Sequence, residues 1–274
     1  MGLIEDLQRG RSDPAFFSHR FCKRKLHDGQ CAWMEQANAT VNVLATGNRF
    51  GKTSVVTVGH AHSCIYKIGG EHRYSDASGA IDMEAMAGLE YNTAHAAPSN
   101  ELAKIVWTDF NRMRRASRDL DVWVDAMPRT EPYNITFIHD ACWRIRTVGD
   151  DASALDGRSN YLISVDEAGW LVKLEEMMDN VLLLRVADVR GRIWLVGTMK
   201  PGEVSKGFYK YAIRAAAGMG QDLAIEHVTT GKALARRKYP VDPSIYRYCA
   251  EHGIELDELL DAVGAKVSVG WKAA

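Results

Sequence analysis

Net charge is nearly absent from this chain: 34 Lys and Arg stand against 35 Asp and Glu, a formal balance of -1. That excludes the whole-protein basic field of a dedicated nucleic-acid-binding domain. It leaves room for a local grip on phosphates, which needs only a few Lys and Arg side chains. Long apolar runs are also missing; none approaches the roughly 18–20 residues that span a bilayer. The first turns carry Glu5, Asp6, Arg9 and Arg11, so no signal-peptide core can be drawn there. Cysteine is sparse. Cys22, Cys31, Cys64, Cys142 and Cys249 are odd in number, scattered, and contain no Cys-x-x-Cys pair, which suits a reducing compartment and makes the cytoplasm the expected location. Internal repeats and low-complexity segments are absent too.

What is present describes a folded α/β protein. The 274 residues are 46% hydrophobic and 25% charged, enough for one large domain or a domain with a small appendage. Residues 1–30 read as polar and broken, with a basic cluster at Arg20, Lys23, Arg24 and Lys25. Residues 40–45 alternate and are β-branched, predicting a strand. A glycine-bearing loop follows at 46–52, then a helix through about Ile68 that Gly69-Gly70 breaks. The stretch to about Gly88 has no clear period and reads as an insertion or lid-like loop. A strand near 91–96 leads into a helix from Asn100 to about Leu120. Residues 134–139 and 142–148 alternate around His139-Asp140-Ala141, predicting a β-hairpin. Beyond the apolar run Tyr161–Val165 come a helix over roughly 171–187, a strand at Ile193–Val196 and a helix over about 206–217. The tail has one strand-like run, Leu223–Val228, and short helices around 243–262. Strands alternating with helices predict a mostly parallel sheet covered on both faces.

Gly47-Asn48-Arg49-Phe50-Gly51-Lys52-Thr53 follows the first strand and opens a helix. A phosphate loop needs that placement, because successive backbone N–H groups and the positive end of a helix then converge on one anion. Lys52 would neutralise the β- and γ-phosphates and the Thr53 hydroxyl would ligate Mg²⁺, with Ser54 the last of the expected nucleotide-binding residues. Gly51 lets the backbone approach the phosphates without a Cβ. Arg49 would stabilise charge developing on the γ-phosphate, with its planar fork, or would pair with a neighbouring carboxylate. The usual pattern places a glycine at position 46; here Thr46 stands there and Gly47 follows.

Tyr161-Leu162-Ile163-Ser164-Val165-Asp166-Glu167 is an apolar strand ending in two acids. A buried parallel strand holds such carboxylates at the sheet edge where α/β proteins bind ligands. Asp166 would hold Mg²⁺, and Glu167 would orient and deprotonate an attacking water. Together the two motifs predict an ATP-hydrolysing site with ATP as substrate and Mg²⁺ as cofactor.

Other residues have blander readings. Arg112, Arg114, Arg115 and Arg118 lie on one predicted helix, where Arg115 and Arg118 share a face; such runs are usually solvated, a subunit-interface or DNA role being the alternative. His19, Cys22, His27 and Cys31 have zinc-compatible spacing but no paired cysteines to anchor a site. His60, His62 and Cys64 point to different faces of a helix. Trp33, Trp143, Trp170 and Trp194 read as core rather than as platforms for nucleobases.

The loop Thr46-Gly47-Asn48-Arg49-Phe50-Gly51-Lys52-Thr53 resembles the variant phosphate loop of the large subunits of phage terminases, which carry the shifted glycine and often an arginine. Four further segments fall in that family's order. Leu26-His27-Asp28-Gly29-Gln30 resembles its adenine-recognition motif, which implies that Gln30 pairs with the base edge. Ala97-Pro98-Ser99-Asn100-Glu101-Leu102-Ala103-Lys104 resembles the Ala-Pro-Thr segment after the second strand. Ala154-Leu155-Asp156-Gly157-Arg158 stands where the family has Leu-Arg-Gly. Leu195-Val196-Gly197-Thr198 resembles the coupling motif, which implies that Thr198 senses the γ-phosphate. The resemblance covers about residues 16–212. It departs at Asp156, where the family carries a candidate trans-acting arginine; Arg158, two residues on, is the substitute.

The resemblance implies an additional-strand P-loop ATPase, α/β with a mostly parallel central sheet covered by helices. The ATPase domain would span 1–220, with 1–39 as the adenine-motif segment, and a small C-terminal linker or lid subdomain would span 221–274. It also implies the motor of a viral DNA-packaging machine in the host cell cytoplasm, not a structural component of the virion. Its partners would be double-stranded DNA, a portal protein and a small terminase subunit, with a homo-oligomeric ring in the assembled state. The family's nuclease domain carries clustered acids; Glu255, Asp257, Glu258 and Asp261 read instead as the solvated face of an amphipathic helix, so the chain reads as motor without nuclease. Two rivals stay open. A helicase-like translocase shares these motifs but needs a second RecA-like domain. A nucleotide-dependent docking module without efficient turnover could dispense with Glu167.

Overall fold

The computed structural model describes residues 2–70, 89–149, 153–155, 157–198, 206–216 and 223–228. The predicted lid-like loop and the C-terminal helices with their acids lie outside the described residues. Among the described residues, one eight-stranded sheet organises the chain, in the order β3-β4-β5-β2-β6-β7-β1-β8. The strands are β1 (Val41–Thr46), β2 (Tyr91–Ala97), β3 (Val124–Ala126), β4 (Tyr133–Phe137), β5 (Ala141–Thr147), β6 (Leu162–Val165), β7 (Arg192–Gly197) and β8 (Leu223–Val228). All neighbours from β5 to β8 pair in parallel, and β3, β4 and β5 form an antiparallel flank. β7 lies between β1 and β6, so one strand separates the strand before the glycine loop from the strand that ends in Asp166 and Glu167.

The central strands are buried along their whole length, as parallel strands covered on both faces must be. One face packs against α4 (Lys52–Tyr66) and α5 (Asn100–Ala116), the helices that follow β1 and β2. α5 buries Ala103, Val106, Phe110 and Met113, a helical stripe of about one face. The Ser99 hydroxyl caps it, accepting from the Leu102 N–H at 3.3 Å. The other face packs against the segment after β6 and α9 (Lys206–Ala216). α4 approaches β7 closely at Gly59, where an added Cβ would lie 2.3 Å from the Trp194 ring.

Several elements differ from the sequence reading. Residues 1–30 are not broken but contain α1 (Leu3–Ser12), α2 (Pro14–Arg20) and the start of α3 (Asp28–Gln36). Their apolar residues are too widely spaced to show a period, yet Phe17, Phe21, Trp33 and Met34 are buried, so these helices form by docking on the domain rather than by their own amphipathicity. The helix after β2 stops at Ala116, and Arg118 opens a separate short helix, α6 (Arg118–Asp121). The predicted helix over 171–187 is interrupted: α7 (Leu174–Met177) runs through a π-helical turn (Met178–Leu182) into α8 (Leu183–Ala187). Leu223–Val228 joins the main sheet beside β1, so the sheet extends past the 220 boundary expected for the ATPase domain. Trp33, Trp143 and Trp194 are core residues, whereas Trp170 is 54% exposed.

Candidate nucleotide site

Residues 47–51 leave β1 at its C-terminal end and turn into α4. The turn needs left-handed backbone twice, at Arg49 (φ 66°) and at Gly51 (φ 87°). Gly51 adopts it without strain, whereas Arg49 holds it as a non-glycine residue. Gly51 also has no space for a side chain, since a Cβ there would lie 2.5 Å from the Gln30 amide nitrogen. Asn48 and Arg49 face solvent, and Phe50 between them and Gly51 is completely buried. The loop is therefore nailed to the core at Phe50 while its tip stays open.

Two residues of the α3 start hold it there. Gln30 Nε2 donates to the carbonyls of Phe50 and Gly51, both at 3.0 Å. Its Oε1 accepts from the His27 N–H at 2.9 Å, which completes a capping box with the His27 ring. His27 Nδ1 accepts from the Gln30 N–H, so Nε2 carries the proton and donates to the Phe50 carbonyl at 3.1 Å. In this structure both N–H donors of Gln30 and its carbonyl are engaged in shaping the loop. Arg24 adds a third brace, donating to Ser54 Oγ at 2.7 Å and forming a two-pronged pair with Asp109 at 2.7 Å. Nothing in the sequence assigned Arg24 or His27 to the loop; Arg24 was legible only as one of four clustered basic residues.

Lys52 is buried, and its ammonium donates to Thr198 Oγ1 at 2.8 Å, with longer contacts of 3.4 Å to the Thr46 and Gly47 carbonyls. Lys52, at the start of α4, and the residue after β7 are thus in direct contact. Thr53 lines an open groove of about 460 Å³ shared with Glu101, Lys104, Ile105, Thr108 and Arg112 of α5.

Asp166 and Glu167 follow β6 at the same sheet edge. Glu167 has φ 46° and ψ 40°, a left-handed conformation that turns the chain abruptly after the acidic pair. Asp166 Oδ1 accepts from the Glu167 N–H at 2.9 Å. Burial, with the neighbouring Glu167 charge second, pushes the Asp166 carboxyl up to about 6; that N–H and the Lys52 ammonium oppose the rise. Gly197 of β7 fits against this turn so closely that a Cβ would lie 3.0 Å from the Ala168 nitrogen. Lys52, Thr198, Asp166 and Glu167 therefore share one packed unit. Arg158 is not brought to it: it precedes β6, at the opposite end of that strand, and pairs with Glu90 at 3.1 Å.

Beneath the acids, Ser164 joins the phosphate-loop helix to β2 and β6. Its hydroxyl lies 2.6 Å from His60 Nε2 on α4 and 2.8 Å from His95 Nδ1 on β2, all three residues being fully buried. His60 stacks flat on Trp143 at 4.8 Å. Burial holds both imidazoles neutral, pushing His95 down to about 3 and His60 well below its ordinary value. The sequence reading placed His60 in no site.

The strand order, with β7 between β1 and β6, defines a mixed α/β fold built on a mostly parallel sheet. The chain has the fold of the large terminase ATPase domain. It matches an ATPase-domain variant of the Thermus phage P74-26 large terminase with a TM-score of 0.58 at 11% identity, covering 91% of this chain and 98% of that one. It matches the HK97 bacteriophage large terminase with a TM-score of 0.58 at 11% identity, covering 94% of this chain and 54% of that one. The large terminase of the thermophilic bacteriophage D6E, solved in complex with ADP, matches with a TM-score of 0.50 at 14% identity, covering 81% of this chain and 49% of that one. The chain thus spans about half of the two whole large terminases. At these identities the likeness is one of fold. No family model and no curated protein matches the chain by sequence. Among the described residues, no helix is long and apolar enough to cross a membrane.

Proposed function

We propose that this chain is the ATP-hydrolysing motor domain of a viral DNA-packaging machine, acting on double-stranded DNA as a subunit of a ring docked on a portal and fed by a small terminase subunit. The observation that carries the reading is the contact of Lys52 with Thr198, with the Asp166–Glu167 turn packed on the same strand end. Lys52 exchanges Thr198 for the β- and γ-phosphates of ATP as the nucleotide enters. The loop N–H groups, already fixed by Gln30, His27 and Phe50, receive the phosphate oxygens at the start of α4. Arg49, on the exposed loop tip, meets charge developing on the γ-phosphate.

The donors available for a cation are hard oxygens, the Thr53 hydroxyl and Asp166 Oδ2, whose partner Oδ1 holds the Glu167 N–H. These suit Mg²⁺, which would neutralise phosphate charge between them. Glu167 aligns the attacking water and takes its proton. Thr198, released from Lys52, faces the γ-phosphate and carries its presence or loss into β7. An arginine from a neighbouring ring subunit completes the charge stabilisation, a contribution of about 10³–10⁵ in rate where such fingers operate.

The test uses two variants. Lys52→Ala abolishes ATP binding and turnover, whereas Glu167→Gln keeps nucleotide affinity and loses turnover by roughly a hundredfold or more. Both fail to fill procapsids in a DNase-protection assay with purified portal-bearing shells. Near-normal hydrolysis by Lys52→Ala would remove the phosphate-loop assignment. Hydrolysis that depends on both residues, without any DNA protection by the wild-type chain, would leave an ATPase that is not this motor.

A further inference from the structure

The sheet face turned away from α4 and α5 carries a group of cations that the nucleotide site does not use. On β5, Trp143 and Ile145 point into the core beneath α4 and α5, so Cys142, Arg144 and Arg146 point to the opposite face. Arg158 joins them from the segment that leads into β6. Arg144 is only 8% exposed, yet among the described residues its single hydrogen bond is from Nη2 to a neutral acceptor, Asn160 Oδ1, at 3.0 Å. Its Nε is buried without any partner. Arg146 is held in the same manner: Nη2 donates to Asn134 Oδ1 at 2.6 Å, and Nη1 to the Ile145 carbonyl at 3.0 Å. Arg158 pairs with Glu90 through an exposed contact.

This arrangement is costly unless something offsets it. An arginine cannot shed its proton, and a buried charge without an opposite one is strongly disfavoured. Burial and the neighbouring charges of Arg146 and Arg158 all push Arg144 down from its ordinary value, with Cys142 and Glu90 opposing. Glu131 bears on Arg146 in the same opposing sense. Asparagines stand at the two positions where carboxylates would have neutralised the guanidinium groups. They fix the orientation of the two planes without neutralising either guanidinium group.

We propose that Arg144, Arg146 and Arg158 form a binding site for a phosphate-class oxyanion, on the sheet face opposite the nucleotide loop. Planar guanidinium groups with free N–H donors match phosphate oxygens in fork geometry. Among the described residues the three arginines carry one positive charge more than the two acids that bear on them, Glu90 and Glu131, which suits an oxyanion rather than a neutral ligand. The ligand is either the phosphodiester backbone of a nucleic acid or free phosphate. The site involves no residue of the nucleotide pocket, so it stands or falls separately from the ATPase reading.

The experiment is done on the full chain in a Lys52→Ala background, which removes anion binding by the phosphate loop. Anisotropy of a short labelled DNA duplex is followed against salt, and inorganic phosphate is titrated by calorimetry at constant ionic strength. Arg146→Gln is expected to flatten the plot of log affinity against log salt by about one unit for a duplex ligand. If free phosphate is the ligand, Arg146→Gln instead abolishes the phosphate heat and duplex affinity is unaffected. Arg144→Met is expected to weaken the same ligand while melting no lower than its parent, because it removes an uncompensated buried charge. If Arg144→Met does not fold, the Arg144 part of the proposal is overturned, and Arg146→Gln alone decides the rest. Binding of neither ligand, binding indifferent to Arg146→Gln, or preferential capture of a polyglutamate peptide each overturns the proposal.

Discussion

Asp166→Asn separates the needs of the empty protein from those of the occupied one. The native carboxyl is buried and titrates at about 6 rather than the ordinary 3.8. At about 1.4 kcal/mol per tenfold change, that gap amounts to an upper figure of about 3 kcal/mol. The sign follows from linkage: the native state binds the proton more tightly than the unfolded chain. The Asp166 contribution to stability is thus complete below pH 3.8 and is lost as pH rises through about 6. Asparagine keeps an acceptor for the Glu167 N–H and carries no charge. The variant should therefore melt with the wild type near pH 3.5 and above it at pH 7.5. With about 2–4 °C per kcal/mol for a protein of this size, the gain is about 6–12 °C. Added Mg²⁺-ATP should raise the melting temperature of the wild type only. Differential scanning calorimetry of the nucleotide-free chains at the two pH values reads this out. A gain of equal size at both pH values, or no gain at pH 7.5, would refute the argument that burial of a charge at Asp166 is the cause.

Three more outcomes are expected. Gln30→Ala frees the Phe50 and Gly51 carbonyls, so ATP and GTP should both bind more weakly by a similar factor; a selective loss of ATP in competition titrations would favour base reading. The buried neutral histidines make the fold acid-labile. His95 and His62 are pushed down to about 3 and about 4 by burial, and His60 also falls, so the stability they contribute is complete above pH 6.5 and is lost as pH falls through those values. His95→Gln should lessen the loss in urea melts between pH 6.5 and pH 4, and an unchanged slope would clear His95. Phe50→Ala should destabilise the chain by about 3–5 kcal/mol and loosen the phosphate loop, seen as faster amide exchange at Gly51 and Lys52; a well-protected loop would show that Gln30 and His27 suffice to hold it.

The parts of this molecule legible in its sequence are those where local chemistry and the fold agree. The run 41–46, the glycine loop after it and the acids after Val165 each have a short-range signature, because a phosphate cradle is built from contiguous backbone. The hairpin was legible from alternation around Asp140, whose left-handed φ of 60° turns the chain. What the sequence concealed depends on distant partners. α1 and α2 carry no clean apolar period, and their stability comes from docking. Gln30 looked free to face a base because its partners, the carbonyls of Phe50 and Gly51, lie about 20 residues along the chain. His60, His95 and Ser164 are separated by up to 104 residues, and no spacing rule could have joined them. Arg158 was singled out because it stands two residues from Asp156, where the resemblance expects a trans-acting arginine, and it is not beside Asp166 within this chain. A whole strand lies between them, and a strand carries its two ends to opposite sides of a sheet.

Gly197 sets how this machinery can deform. A Cβ at position 197 would lie 3.0 Å from the Ala168 nitrogen and 3.2 Å from that of Gly169, so the end of β7 and the turn after Glu167 pack backbone against backbone. Side chains can rotate and absorb a displacement; peptide planes in van der Waals contact cannot. A displacement of the end of β7 would therefore reach Ala168 with little slack, and the turn after Glu167 and the end of β7 would move together. Any larger side chain at position 197 would act as a wedge, and its effect would be felt as a misplaced Glu167 long before it was felt as a loss of fold.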